Sequence, residues 1–112
     1  MNTRNKIVAI ADLPPEPATL VIGTFDPMLT VHALRLAQLT HPLVVAVADL
    51  PKPILDSRSR QELVAALDVV DFVVPYESGL ETAFAWAAIH DDTALHAEWS
   101  ADFTAHVRSR SR

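Results

Sequence analysis

The sequence predicts one α/β domain of Rossmann-like architecture, a three-layer α/β/α fold in which helices cover both faces of an open parallel sheet. Short, continuously apolar runs of strand length recur along the chain, as expected for strands that are buried on both faces. Segments with the apolar period of helices lie between these runs, and this alternation is typical of parallel sheets. The length of 112 residues is that of a single domain, spanning 1–112.

Five segments have the apolar pattern of strands. The clearest is the run LVVAVA, from Leu43 to Ala48, which contains no polar side chain. We expect the other strands at Lys6 to Ala11, Thr19 to Ile22, Phe72 to Val74 and Thr93 to Ala97.

Four segments have helical patterns. The candidate helices run from Thr30 to Leu39 with an apolar stripe at Val31, Leu34, Leu36 and Leu39, from Ser59 to Val70, from Leu80 to Ala88, and from Ser100 onward with Phe103 and Val107 buried. Ser59 with Glu62, and Ser78 with Glu81, have the spacing of capping boxes, which predicts helix starts at these serines. A short, flexible Arg/Ser tail is expected at 108–112.

Composition excludes several functional classes. The formal net charge of −5 argues against binding to nucleic acid or to an anionic membrane, because such proteins normally carry a basic surplus. The chain has no cysteine and therefore no disulfide, zinc-thiolate site or thiol nucleophile. Met1 to Lys6 lead into no long apolar stretch, so we expect neither a secretory signal nor a spanning helix, and a cytoplasmic location follows.

The segment VIGTFDPMLTVH, residues 21–32, is the most informative for function. It places a turn at the carboxyl end of a strand, directly before a helix, and ligands bind at such turns in open α/β sheets. Gly23 allows close approach of the backbone, and the N–H groups of the helix N-terminus favour a phosphate. We expect His32, in the first helical turn, to face that phosphate.

These residues resemble a known superfamily, the cytidylyltransferase-like nucleotidyltransferases. Its members carry a strand followed by G-x-F-D-x-x-H-x-G-H, and the chain supplies Gly23, Phe25, Asp26 and, as the second histidine, His32. The nearest likeness is to the adenylyltransferase domain of ADP-heptose synthase. That family has KIVxxxxL near its start, matched by Lys6-Ile-Val and Leu13.

A second motif strengthens the resemblance. The family pattern ERAxxLAALxxVDxVVPF is similar to SRQELVAALDVVDFVVPY at residues 59–76, which places Arg60 where the family has its arginine. The resemblance implies ATP or CTP with Mg²⁺, whose α-phosphate a sugar phosphate or alcohol phosphate attacks with release of pyrophosphate. It implies catalytic roles for His32 and Arg60. The nucleotide-binding residues that it implies are Gly23, Thr24, Phe25, Asp26, His32 and Arg60.

The chain departs from the family pattern at three places. Leu29 replaces the first histidine, Val31 replaces the glycine, and the loop between Ala48 and Lys52 is short, with Lys52 as its only evident cation. Loss of one transition-state donor typically costs about 2.7–4 kcal/mol. We therefore expect a nucleotide-binding protein with impaired catalysis. The alternatives are an active nucleotidyltransferase and a homodimer joined through the predicted helix from Leu80 to Ala88.

Several of these residues also have structural interpretations. His32 could be an ordinary polar side chain in the first turn of its helix, and Arg60 a solvent-exposed arginine in the first turn of another. Asp26 could be a turn or N-cap residue. His90 lies where a helix is expected to end, which we favour over a metal site with Asp91 and Asp92. No metal site is predicted. Trp86 and Trp99 could stack on a base, but Trp86 lies in the predicted helix from Leu80 to Ala88 and is expected to pack in the core or at an interface.

Overall fold

The computed structural model describes residues 6–13, 17–26 and 28–110, with side chains described through residue 105 in the last helix. Four parallel strands form one sheet in the order β3-β2-β1-β4. The strands are β1 (Thr19–Gly23), β2 (Leu43–Val47), β3 (Phe72–Pro75) and β4 (Ala88–Asp91). The helices are α1 (Thr30–Ala37), α2 (Ser57–Ala65), α3 (Leu80–Ala83) and α4 (Thr93–Arg110), with a short 3₁₀ helix at Ile10–Asp12.

The two central strands form because both of their faces are covered. All five residues of β1 and all five of β2 are buried, and the register pairs Thr19 with Leu43 and Gly23 with Val47. A strand buried on both faces needs apolar side chains at every position, which is the pattern that identified it in the sequence. The predicted strands at Thr19 to Ile22, Leu43 to Ala48 and Phe72 to Val74 are confirmed.

The sheet has a hydrophobic core on each side. On one side Val21, Val45 and Val73 pack with α1 and α2, through residues such as Leu36 and Val64. The opposite core includes Leu20, Ile22, Val44 and Val74 from the strands, together with Leu13 and with Leu80 of α3. This arrangement confirms the three-layer α/β Rossmann-like fold.

The helix starts differ from both predicted capping boxes. Asp56 caps α2, since its carboxylate accepts the Ser59 N–H at 2.7 Å and thereby places Ser59 inside the helix. At α3 the N-cap is Gly79, which has a φ of 91°, and no side chain caps this end. A left-handed residue at that position suits glycine.

The apolar stripe of α1 is also partly wrong. Val31 and Leu34 are exposed, whereas His32 and Leu36 are the buried residues of this helix. The reason is that α4 packs beside α1 and covers the face that carries His32.

The expected N-terminal strand at Lys6 to Ala11 is wrong. Ile7 forms one isolated parallel bridge with Val73, and the Val8 N–H donates to the Val73 carbonyl at 3.0 Å. The chain then turns into the 3₁₀ helix, so pairing stops after a single bridge.

The C-terminal third contains the largest correction. Ala88–Asp91, expected to follow a helix, forms β4, and Thr93 to Ala97, expected as a strand, begins α4. The predicted helix from Leu80 to Ala88 ends at Ala83. Since β4 is an edge strand with three exposed residues, it needs no apolar run and gave no strand signal.

Three further predictions concern side chains in this region. Trp86 lies outside the helix, in the segment between α3 and β4, but it packs against the core that contains Leu20 and Leu80, as expected. Its indole N–H donates to the Leu80 carbonyl at 3.0 Å. Phe103, expected to be buried, is exposed. Helix α4 includes residues 108–110 of the expected tail; residues 111–112 and the side chain of Val107 lie outside the described part.

None of the described helices combines the length and hydropathy that a membrane crossing requires.

Candidate functional site

The order of the strands places a crevice at the carboxyl end of β1. Strands β2 and β3 follow on one side of β1, and the chain then returns to add β4 on its other side. Ligands bind in open α/β sheets at such a reversal of strand order. A cleft of about 610 Å³ opens at this edge of the sheet. Its walls are Thr24 and Asp26 after β1, Ala48, Asp49, Leu50, Lys52 and Ile54 after β2, and Thr93, Ala94, Ala97, Ser100 and Thr104 of α4.

Asp26 ties the walls of this cleft together. Its buried carboxylate accepts the N–H groups of Ile54 and Leu55 at 2.6 and 2.8 Å. Its main-chain carbonyl accepts the Ser100 hydroxyl at 2.8 Å. Asp26 therefore connects the turn after β1 to the segment after β2 and to α4, and it does not cap α1, whose N-cap is Leu29.

Arg60 is a structural clamp beneath the cleft. Only 1% of the residue is exposed, and its Nη1 donates to the carbonyls of Thr24 and Ala48 at 3.0 and 2.7 Å. Its Nε donates to the Leu55 carbonyl at 3.1 Å. The guanidinium thus joins the ends of β1 and β2 to α2, and the solvent-exposed interpretation of this arginine is wrong. Its proposed contact with phosphate stays a prediction.

His32 lies in the first turn of α1, as expected, but it is fully buried and is not among the residues that line the cleft. Its Nδ1 accepts the N–H of Leu29, the N-cap residue, at 2.9 Å. Since Nδ1 accepts a hydrogen bond, the neutral ring carries its proton on Nε2. Burial lowers the pKa of His32 and keeps the ring neutral. Nε2 has no hydrogen-bond partner among the described residues.

His96 contacts the candidate site, although no motif in the sequence points to it. It lies on α4, is almost fully buried, and accepts the Thr24 N–H on Nδ1 at 3.1 Å. Burial lowers its pKa to about 4, so this ring is also neutral.

The position of the His96 ring explains why residue 23 is a glycine. A Cβ at that position would lie 2.2 Å from His96 Cε1 and 2.5 Å from Nδ1. The space above Gly23 is therefore occupied by His96, and the glycine admits a protein side chain where the sequence analysis expected a phosphate. A glycine at the end of a buried strand signals a close approach, but the sequence does not say of what.

Four rings form a cluster beside the cleft, in which Phe25, His32 and His96 are buried and Trp99 is half-buried. Phe25, fully buried and with a φ of 49°, meets the ring of His96 edge-on at 4.4 Å. His32 meets His96 edge-on at 4.5 Å, and Trp99 stacks on His96 with centroids 5.4 Å apart. The strained backbone of Phe25 costs about 1–2 kcal/mol, and burial of the ring in the core offsets this cost. Trp99 packs on protein rings, so the cluster joins α1, α4 and the turn after β1.

At each of the two helix starts near the crevice, one backbone N–H is already bound by a side chain. At α1 the Leu29 N–H is bound to His32. At α4 the carboxylate of Asp91 accepts both the N–H and the hydroxyl of Thr93, at 3.1 and 2.6 Å. A carboxylate at a helix N-terminus occupies the position that a bound phosphate would take.

Asp92 and His90 do not form a metal site with Asp91. The carboxylate of Asp92 pairs with Arg35 of α1 at 3.2 Å, and the same guanidinium lies 3.5 Å from His90 Nδ1. In the part of the chain that the structure describes, no group of three His, Asp or Glu side chains could hold a metal ion. These contacts instead fasten β4 and α4 to α1.

Comparison with models of known protein families and with curated proteins found no match to the chain. The structure brings five of the predicted site residues, Gly23, Thr24, Phe25, Asp26 and His32, together around α4, with Arg60 below them. Of these six residues, Thr24 and Asp26 line the cleft. The likeness to nucleotidyltransferases therefore depends on the motifs in the sequence.

Proposed function

We propose that the protein binds a nucleotide in the cleft at the carboxyl end of β1 and has lost efficient nucleotidyl transfer. The observation that carries this proposal is that the groups expected to bind phosphate make contacts within the protein. His32 binds the Leu29 N–H, and Arg60 binds three main-chain carbonyls.

Shape and lining support binding. The volume of about 610 Å³ falls within the range of small-molecule pockets, roughly 300–1,000 Å³. Ala48, Leu50, Ile54 and Ala97 give the cleft apolar walls against which a base can pack. Lys52 supplies one exposed ammonium for a phosphate.

The same inventory supports the loss of catalysis. Transfer requires preorganised donors that neutralise charge on the phosphoryl oxygens, and each such donor is worth about 2.7–4 kcal/mol. The Leu29 side chain has no hydrogen-bond donor, and His32 is buried. The Nη1 and Nε groups of Arg60 donate to three main-chain carbonyls. Because none of these three residues lines the cleft, we expect no useful release of pyrophosphate.

Calorimetric titration with adenine and cytosine nucleotides, with and without Mg²⁺, tests binding. Ala97→Trp fills the cleft and should weaken binding at least tenfold, because the indole displaces the ligand. Ala105→Trp is the matched control, since Ala105 is an exposed residue of the same helix that does not line the cleft. We expect the control to bind like the unmodified protein. Absence of heat with every nucleotide at millimolar concentration would contradict the proposal.

A pyrophosphate-release assay tests the second half of the proposal. With ATP or CTP, Mg²⁺ and a panel of sugar phosphates and alcohol phosphates, we expect release at the rate of the protein-free control. Release above that background, abolished by Ala97→Trp and retained by Ala105→Trp, would instead establish an active nucleotidyltransferase.

A further inference from the structure

The charged side chains that line the cleft are poorly suited to a triphosphate. Among the described residues, Lys52 is the one cationic side chain in the lining, and the carboxylates of Asp26 and Asp49 accompany it. Asp26 is bound to two N–H groups, whereas Asp49 is exposed. A nucleoside triphosphate needs several cations or a metal ion to balance its oxygens.

Three hydroxyl groups of the lining, those of Thr93, Ser100 and Thr104, direct their protons into the protein. The Ser100 hydroxyl donates to the Asp26 carbonyl at 2.8 Å, and the Thr104 hydroxyl donates to the Ser100 carbonyl at 2.9 Å. The Thr93 hydroxyl donates to the Asp91 carboxylate at 2.6 Å. A hydroxyl has one proton and two lone pairs, so these three groups offer acceptors to a ligand.

At the N-terminus of α4, one of the N–H groups that could bind a phosphate is already taken. Asp91 binds the first N–H of the helix, that of Thr93, and its negative charge at this helix end disfavours a phosphate there. The described residues form no group of three His, Asp or Glu side chains that could hold a metal ion by themselves, so Mg²⁺ would have to be held largely by the phosphates. One cation and two carboxylates in the lining therefore favour a ligand with fewer negative charges than a triphosphate.

We infer that the ligand is a nucleoside or a nucleoside monophosphate, and that magnesium triphosphates are disfavoured. The acceptors on Thr93, Ser100, Thr104 and Asp49 match the donors of such a ligand, which are its sugar hydroxyls and the amino group of an adenine or cytosine base. Lys52 is the seat of the single phosphate. This inference rests on the proposed nucleotide-binding function and specifies which nucleotides the site takes.

The test compares ligands that differ only in phosphate content. Calorimetric titrations are run with adenosine, AMP and ATP, and with cytidine, CMP and CTP, each with and without Mg²⁺. We expect the monophosphate of the preferred base to bind at least tenfold more tightly than its triphosphate, whether or not Mg²⁺ is present.

Two substitutions locate the phosphate. Lys52→Gln should lower the affinity for the monophosphate about tenfold and leave the affinity for the nucleoside unchanged, since the proposal has the ammonium contact only the phosphate. Arg58→Gln is the matched control, because Arg58 is an exposed cation paired with Glu62 that does not line the cleft. Asp49→Asn should reduce the difference in affinity between the triphosphate and the monophosphate, because it removes a carboxylate that repels the additional phosphates. Lys52 and Asp49 are both exposed, so their variants should keep the fold.

The outcomes separate this inference from the function on which it rests. Tighter binding of ATP or CTP than of the matching monophosphate overturns the inference and leaves nucleotide binding in place. Equal weakening of nucleoside and monophosphate by Lys52→Gln overturns the assignment of Lys52. Absence of binding by all six ligands overturns both the inference and the proposed function.

Discussion

Replacement of Gly23 by alanine tests the contact between the end of β1 and α4. The backbone at Gly23 does not have a positive φ, so alanine introduces no backbone strain there. Its Cβ would nevertheless lie 2.2 Å from His96 Cε1 and 2.8 Å from Phe25 Cε2. Real Cβ atoms do not approach other atoms this closely, so the His96 ring must shift.

The expected cost has two parts. Overpacking of a well-filled core typically costs about 1–3 kcal/mol. Movement of the ring also breaks its bond from the Thr24 N–H, now 3.1 Å long, and a buried N–H without a partner costs about 1–3 kcal/mol. We therefore expect Gly23→Ala to lower the free energy of unfolding by about 2–6 kcal/mol, a large share of the roughly 5–15 kcal/mol typical of a domain.

Urea denaturation of Gly23→Ala, His96→Ala and the double variant measures this coupling. Removal of the imidazole should relieve at least about 1 kcal/mol of the cost of Gly23→Ala, although the contact with Phe25 persists. Gly79→Ala serves as the control, because its cost arises from a φ of 91° and its Cβ would meet nothing within 4 Å. That cost should be the same with and without His96. Strict additivity of Gly23→Ala and His96→Ala would refute the reasoning.

Two further predictions concern buried charge. The pKa of His96 is about 4 in the folded protein and about 6.5 in the unfolded chain. Below pH 6.5 the unfolded chain therefore binds an extra proton, and the free energy of unfolding falls as the pH is lowered. Between pH 7 and pH 5 this group alone should remove roughly 2 kcal/mol of the free energy of unfolding. Urea denaturation at both pH values checks it, and an equal loss in His96→Gln would count against it. Arg60→Lys should destabilise the protein by about 3 kcal/mol or more, because one ammonium cannot serve three carbonyls in a fixed fork. Thermal unfolding measures this loss, and Arg58→Lys on the same helix should change the free energy of unfolding by less than about 0.5 kcal/mol; comparable effects at the two positions would rule out the clamp.

The predictability of the fold depended on how completely each strand is covered. The central strands β1 and β2 are buried on both faces, so nearly every position is apolar, Thr19 excepted, and the sequence pattern is clear. Strand β4 has three exposed residues and pairs at the edge of the sheet, so no burial constraint shaped its composition. The run TALHA was apolar enough to resemble a strand, although Asp91, which binds the first N–H of α4, was a signal of a helix start in the sequence.

The candidate site was predictable in location but not in use. The turn after β1 and the helix that follows it were evident from the motif, and the structure places a cleft there. The roles of Arg60 and His96 could not be read from the sequence, because their partners are remote in the chain. Arg60 reaches the Thr24 carbonyl, and His96 accepts the Thr24 N–H across 72 positions.

The position of β4 at the sheet edge has a consequence for how the molecule opens. From β1 to β3 the strands and helices are consecutive neighbours, whereas β4 returns from far along the chain to pair Ala88 with Thr19. We expect β4 and α4 to form a separate cooperative unit that docks late in folding and detaches first. Backbone amides of β4 should then exchange with solvent well before those of β2. Because α4 is one wall of the cleft, each such opening also dismantles the binding site, and a bound ligand should slow amide exchange in this unit.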